Sequence, residues 1–198
     1  MWWTELHAQA DRLRELERCV DPRARVASTA LLKGAVRIEA GAIVCHGACI
    51  EGPVVIGRRC LVGNHAMIRG ATRIGDGTRI GFGAEIKHAR IGAGVSIGPQ
   101  CYVADSVVED DVYLGAQVRT SNHRLDRRTV SVVVDGRRVD TGLEKLGCHV
   151  GARASLGIQV IVLPGRVIAP DTTYAPRATV ERNLPSGRYR IAQALESF

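Results

Sequence analysis

Residues 54–86 read VVIGRR CLVGNH AMIRGA TRIGDG TRIGFG AEI, and the third residue of every six is Ile or Val. Those positions are Ile56, Val62, Ile68, Ile74, Ile80 and Ile86. Followed backwards, the same spacing passes through Ile50, Val44, Ile38 and Leu32 to Val26. Forwards, one residue is dropped and the series resumes at Ile91, Ile97 and Val103; a second drop leads to Val108 and Leu114. After an interruption it returns at Val150, Leu156, Val162, Ile168, Tyr174 and Val180, with Tyr174 its one aromatic member. Gly often follows the aliphatic residue, as at Gly57, Gly63, Gly75, Gly81, Gly92 and Gly98. A period of six matches neither a helix nor a simple alternating strand. It predicts a short strand and a tight turn, repeated, with the aliphatic side chain inward and glycine supplying the turn dihedrals. Stacked units of this period build a parallel β-helix.

The composition agrees with a narrow, repetitive core. The 198 residues hold 22 Gly and only 4% aromatic residues, at 45% hydrophobic content. The length suits one domain with small appendages. No apolar run reaches the length of a membrane span and the N-terminus lacks a signal-peptide core, so the expected location is the cytoplasm, without a membrane partner. The net charge of +7 suits phosphorylated small molecules and coenzymes as well as nucleic acid. The basic residues are dispersed rather than massed, which argues against nucleic acid. Among the cysteines, Cys45 and Cys49 lie close to His46, but no second ligand pair completes a zinc site, so no metal is expected.

The boundaries follow from the period. Residues 1–22 are expected to be a helical cap closing the first coil: Trp3, Leu6, Ala10, Leu13 and Leu16 recur at helical spacing to about residue 20, where Asp21-Pro22 ends the helix. A contact with another subunit is the alternative use of that face. Residues 23–118 and 148–185 are coils, 119–147 an inserted arm, and 186–198 a tail whose end from Tyr189 reads as a short helix. Within the arm, Val130 to Val134 meets Asp135-Gly136 and then Arg137-Arg138-Val139, a hairpin pattern. The arm carries Arg119, Arg124, Arg127, Arg128 and Lys145, so a cation-rich protrusion is expected to bind a ligand.

The hexapeptide period resembles the left-handed parallel β-helix of the hexapeptide acyltransferases, an all-β fold. The handedness comes from that resemblance, since left-handed crossovers are exceptional in parallel sheets. From about Arg69 to Arg182 the chain looks like the acetyltransferase domain of bifunctional sugar-1-phosphate nucleotidyltransferase/glucosamine-1-phosphate N-acetyltransferases. The matching stretches are Glu85-Ile86-Lys87, Cys101 to Ser106, Asn122 to Asp126, Gly136-Arg137-Arg138, Lys145-Leu146-Gly147 and Val162-Leu163-Pro164-Gly165. No glycine-rich nucleotide-binding motif precedes the repeats, so the nucleotidyltransferase activity is not expected.

The resemblance implies acetyl-CoA or another acyl-CoA as co-substrate, a sugar or sugar-phosphate-like acceptor, and a homotrimer. It places Arg69, Lys87, Tyr102 and Arg128 at the sugar-phosphate-binding positions, a role that suits converging cations. The family's catalytic His falls on Pro99, which cannot act as a base. Tyr113 stands where the family has an Asn near the acetyl-transfer centre, and is grouped with the acceptor-binding residues. The run Thr120-Ser121-Asn122-His123-Arg124-Leu125-Asp126 looks like the segment of sugar and polysaccharide O-acetyltransferases in which a His deprotonates the acceptor hydroxyl. His123 is therefore the expected base, grouped with Asn122 and Tyr102 as catalytic residues, because an imidazole titrates near neutrality. His88 and His149 flank the same region and stay open as alternatives. Ala178 to Pro185 resembles the family's exit motif, which puts Arg182 near the coenzyme A phosphates and Gly157 and Gly165 along the pantetheine groove. Pro99 and Tyr113 also admit a catalytically degenerate sugar-phosphate-binding or regulatory protein. A metalloenzyme of the carbonic-anhydrase type on the same fold does not fit the histidine spacing.

Overall fold

The structure is a computed structural model that describes residues 1–192. It is a parallel β-helix of very short strands, most of two or three residues. Three parallel sheets of eight, nine and eight strands form its faces, and outside the insertion and the last strand each strand pairs with the one three strands earlier. On the third face, for example, Met67, Glu85, Tyr102, Arg119 and Ile161 stand in one column, pointing outward. The sixfold series is the interior: from Ile38 to Val180 every member is buried, while Val26 and Leu32 in the first coil are partly exposed.

The glycines that follow the inward aliphatics act differently from the expectation. Gly57, Gly63 and Gly81 do not have positive φ; the left-handed residue of those corners lies two positions later, at Arg59, His65 and Gly83. A Cβ on Gly81 would lie 2.6 Å from the Pro99 backbone nitrogen, and one on Gly63 2.7 Å from the Ile80 carbonyl oxygen. Close approach of successive coils, not dihedral freedom, requires glycine there.

The N-terminal helix spans Trp2–Leu13, and the first strand begins at Cys19, ahead of Asp21-Pro22. It is not a cap on the open first coil. It lies along the outer surface of the first face, with Glu5 paired to Arg90 and the Gln9 amide donating to the carbonyls of Ala71 and Ala89. The physical reason is a second apolar surface: Trp3 and Leu6 bury against Val107, Val130, Val132 and Leu146.

The insertion opens later than the period suggested. Arg119 and Thr120 are still a strand of the third face. Thr120 takes the inward place, six residues after Leu114, and its hydroxyl accepts the Ala104 N–H at 2.9 Å. The hairpin forms as expected, Ser131–Val134 against Arg137–Asp140 around Asp135-Gly136. Its base does not protrude freely, because Val130 and Val132 are buried beneath the helix. At the far end Arg188–Tyr189 adds a strand to the second face, and Tyr189 stacks on Tyr174 with ring centroids 5.1 Å apart. That strand replaces the start of the expected terminal helix; residues 193–198 lie outside the described residues.

Candidate functional site

The two skips in the period create the first feature of the site. Between the third and first faces most coils turn in six residues, but the turns from Ile86 to Ile91 and from Val103 to Val108 use five. The corner residues there are His88 and Asp105, both left-handed, with φ of 45° and 49°. Stacking the two short corners brings His88 Nδ1 to 2.9 Å from Asp105 Oδ1. Lys87 Nζ reaches Asp105 Oδ2 at 3.2 Å, and the Asn122 amide donates to the same oxygen. Burial alone pushes the Asp105 carboxyl up, but the hydrogen bonds of His88 and Asn122 and the charge of Lys87 outweigh it, so the group stays below the usual carboxylate range. Tyr102 adjoins this cluster: burial raises its phenol, the charges of Glu85 and Asp105 add to the rise, and Arg69 opposes it. Arg69 in turn holds Glu85 Oε1 through Nε at 2.9 Å and Nη2 at 2.7 Å.

Asp105 thus anchors the start of the arm. The Asn122 carbonyl accepts the Leu146 N–H at 2.9 Å, and His123 forms a backbone bridge to Lys145 on the returning chain. On one side, His88 and Asp105 open on a cavity of about 330 Å³ shared with Trp3, His7, Glu144 and Lys145. On the other, His123 lines a cavity of about 540 Å³ beneath the hairpin. Its other walls include Arg124 and Asp126 of the arm, Arg138 of the hairpin, and Ile161, Pro164 and Arg166 of the next coil.

The expected site residues separate into groups. Lys87, Tyr102 and Asn122 converge around Asp105, and Arg69 joins them through Glu85. Arg69 and Lys87 are each paired with a carboxylate of the chain itself. Arg128 is exposed on the arm, its backbone N–H donating to Asp126. Tyr113 lies half exposed on the second face, away from the third-face column of Tyr102. Pro99 is at the corner between the second and third faces, beside a ladder of amides in which Gln159 donates to Gln117 and Gln117 to Gln100. Gly157 occupies the same edge, where a Cβ would lie 2.7 Å from the Pro176 nitrogen. Gly165 has φ of 72° and lies under the hairpin, where a Cβ would sit 2.4 Å from the Ser131 carbonyl oxygen. The chain's own packing accounts for both glycines. Arg182 lines a separate cavity of about 240 Å³ with Tyr174 and Tyr189. His149 is engaged by Glu109, Nε2 to Oε1 at 2.9 Å, under the Trp2 ring.

Three residues of the site carry no role in the sequence reading: Asp105, Arg138 and Arg166. The skips in the period point to Asp105 and its partner His88. Arg138 and Arg166 carry no local signal, because only the folding of the hairpin onto the next coil brings them together.

Residues 53–88 match the family model described as bacterial transferase hexapeptide (six repeats). The chain is 58% identical over 162 residues to the uncharacterized acetyltransferase YaiX of Escherichia coli, covering 82% of this chain and 70% of that protein. It is 37% identical over 105 residues to the bifunctional sugar-1-phosphate nucleotidylyltransferase/acetyltransferase of Sulfurisphaera tokodaii, covering 53% of this chain and 26% of that one. Among solved structures it is similar to the UDP-N-acetylglucosamine O-acyltransferase of Moraxella catarrhalis, with a TM-score of 0.45 and 17% identity over 83% of this chain and 67% of that one.

Proposed function

The chain belongs to the hexapeptide-repeat acetyltransferases, and on that premise we propose that it transfers an acetyl group from acetyl-CoA to an amino or hydroxyl group of a sugar or sugar-phosphate-like acceptor, in the cavity beneath the hairpin. The observation that carries this reading is the lining of that cavity, which sets the His123 imidazole beside guanidiniums and an apolar wall. In the proposed reaction His123 takes the proton of the acceptor as its oxygen or nitrogen attacks the thioester carbonyl. The tetrahedral oxyanion collapses, the C–S bond breaks and the thiolate leaves, to be protonated. The Asp105 cluster supplies position, not chemistry. It holds Asn122, and with it the backbone that presents His123.

A second reading makes His88 the base, because Asp105 faces its Nδ1 as an orienting carboxylate faces a catalytic imidazole. The two assignments place the chemistry on opposite sides of the arm. Release of coenzyme A thiol, followed with a panel of amino sugars, neutral sugars and sugar phosphates, tests the proposal itself. Acceptor-dependent release is expected for at least one class. Release with none, while acetyl-CoA still binds, would establish the catalytically degenerate alternative.

A further inference from the structure

We propose that Arg138 of the hairpin and Arg166 of the next coil, which both line the cavity beneath the hairpin, form the binding site for a phosphate dianion carried by one of the reacting molecules. This deepens the function proposed above and rests on it for the identity of the cavity. The charges on the cavity wall are unbalanced. Three guanidiniums, Arg124, Arg138 and Arg166, face one carboxylate, Asp126. Asp126 is fully engaged by Arg124, with Nε to Oδ1 at 2.8 Å and Nη2 to Oδ2 at 2.5 Å. Three positive charges less one negative leave two, the charge of a phosphate dianion, and they belong to Arg138 and Arg166.

The Arg166 side chain shows the deficit most clearly. Its Nε is buried and has no hydrogen-bond partner among the described residues. Burial holds the guanidinium below its usual range, and repulsion from Arg138 and Arg124 lowers it further. A buried donor without an acceptor destabilises the fold, and repulsion between cations adds to that. Folding the hairpin over Arg166 brings these costs without a compensating polar contact among the described residues. A tetrahedral dianion supplies the acceptors and the charge, and two guanidinium forks match its oxygens. The partly exposed Ile161 and the neighbouring Leu163 and Pro164 complete the wall with an apolar surface for the ligand's body. By contrast, Arg69 and Lys87 are already neutralised by Glu85 and Asp105.

The phosphate belongs either to the acceptor or to the coenzyme, and direct binding distinguishes them without turnover. Isothermal titration compares glucosamine 1-phosphate with glucosamine, and coenzyme A with its 3′-dephospho form. In one pair the phosphorylated probe is expected to bind at least tenfold more tightly, and the Arg138→Gln/Arg166→Gln double variant is expected to abolish that difference. A difference in the sugar pair assigns the phosphate to the acceptor, and one in the coenzyme pair to the donor. No difference in either pair, or a difference that survives in the double variant, overturns the proposal. If the double variant fails to fold, Arg138→Gln alone, at an exposed hairpin position, serves the same comparison. Without ligand that single variant should melt no lower than the parent, because it relieves repulsion on Arg166. A drop in its melting temperature with unchanged phosphate selectivity would show Arg138 to be merely structural. Failure of acetyl transfer alone would leave the binding difference intact, so the two proposals fail separately.

Discussion

Asp105 is the residue on which the candidate site is built. Its side chain is almost wholly buried, and three donors from two stretches of chain satisfy it: Lys87 and His88 from one corner, and Asn122 from the start of the arm. Its folded pKa lies below the ordinary carboxylate value of 3.8. The ionised group therefore stabilises the fold fully above that value, and the contribution is lost as pH falls through the lower folded value. Asp105→Asn should cost about 1.5–3 kcal/mol at pH 7, the range for hydrogen bonds to a charged group. Urea unfolding at pH 7 and again below pH 3.8 would show the gap narrowing; a gap independent of pH would mean that the charge of Asp105 is not what matters. In the sequence, the skips at His88 and Asp105 show only as two dropped residues in the period. They are the two corners short enough to set an imidazole against a carboxylate.

The N-terminal helix and the hairpin act as one element. Neither packs into the prism; together with Leu146 and Val107 they enclose a small second core on the outside of the first face. Helical spacing in Trp3, Leu6 and Leu13 announces an apolar stripe but says nothing of what it covers, so the expected cap becomes a brace. The hairpin was legible from Asp135-Gly136 between strand-like runs, whereas its anchoring depends on Val130 and Val132 meeting a helix more than a hundred residues earlier in the chain. Leu6→Ala should cost about 2–5 kcal/mol as a buried truncation. Glu5→Ala removes only the half-exposed pair with Arg90 and should cost under about 1 kcal/mol. Thermal melts of the two variants check the order. Equal effects would mean that the helix is held by charge and not by its apolar face.

At the scale of the molecule, the repeat explains why so much was legible in advance. Each coil reads its own six-residue code, and neighbouring coils pair in register because the inward aliphatic residues must align. Even Thr120, a polar residue at an inward place of the series, keeps the spacing and satisfies its hydroxyl on the backbone. What was not legible lies where the period fails: the arm, its cavity and the arginines that meet only after the arm folds. The proposed reaction belongs to that irregular part, and scaffolding to the regular one. Steady-state acetyl transfer by His123→Ala, beside His88→Ala, tests this most directly. A fall in kcat of about 10²–10⁴-fold is expected for His123→Ala, with acetyl-CoA affinity retained and a smaller loss for His88→Ala. Full activity in His123→Ala would contradict it.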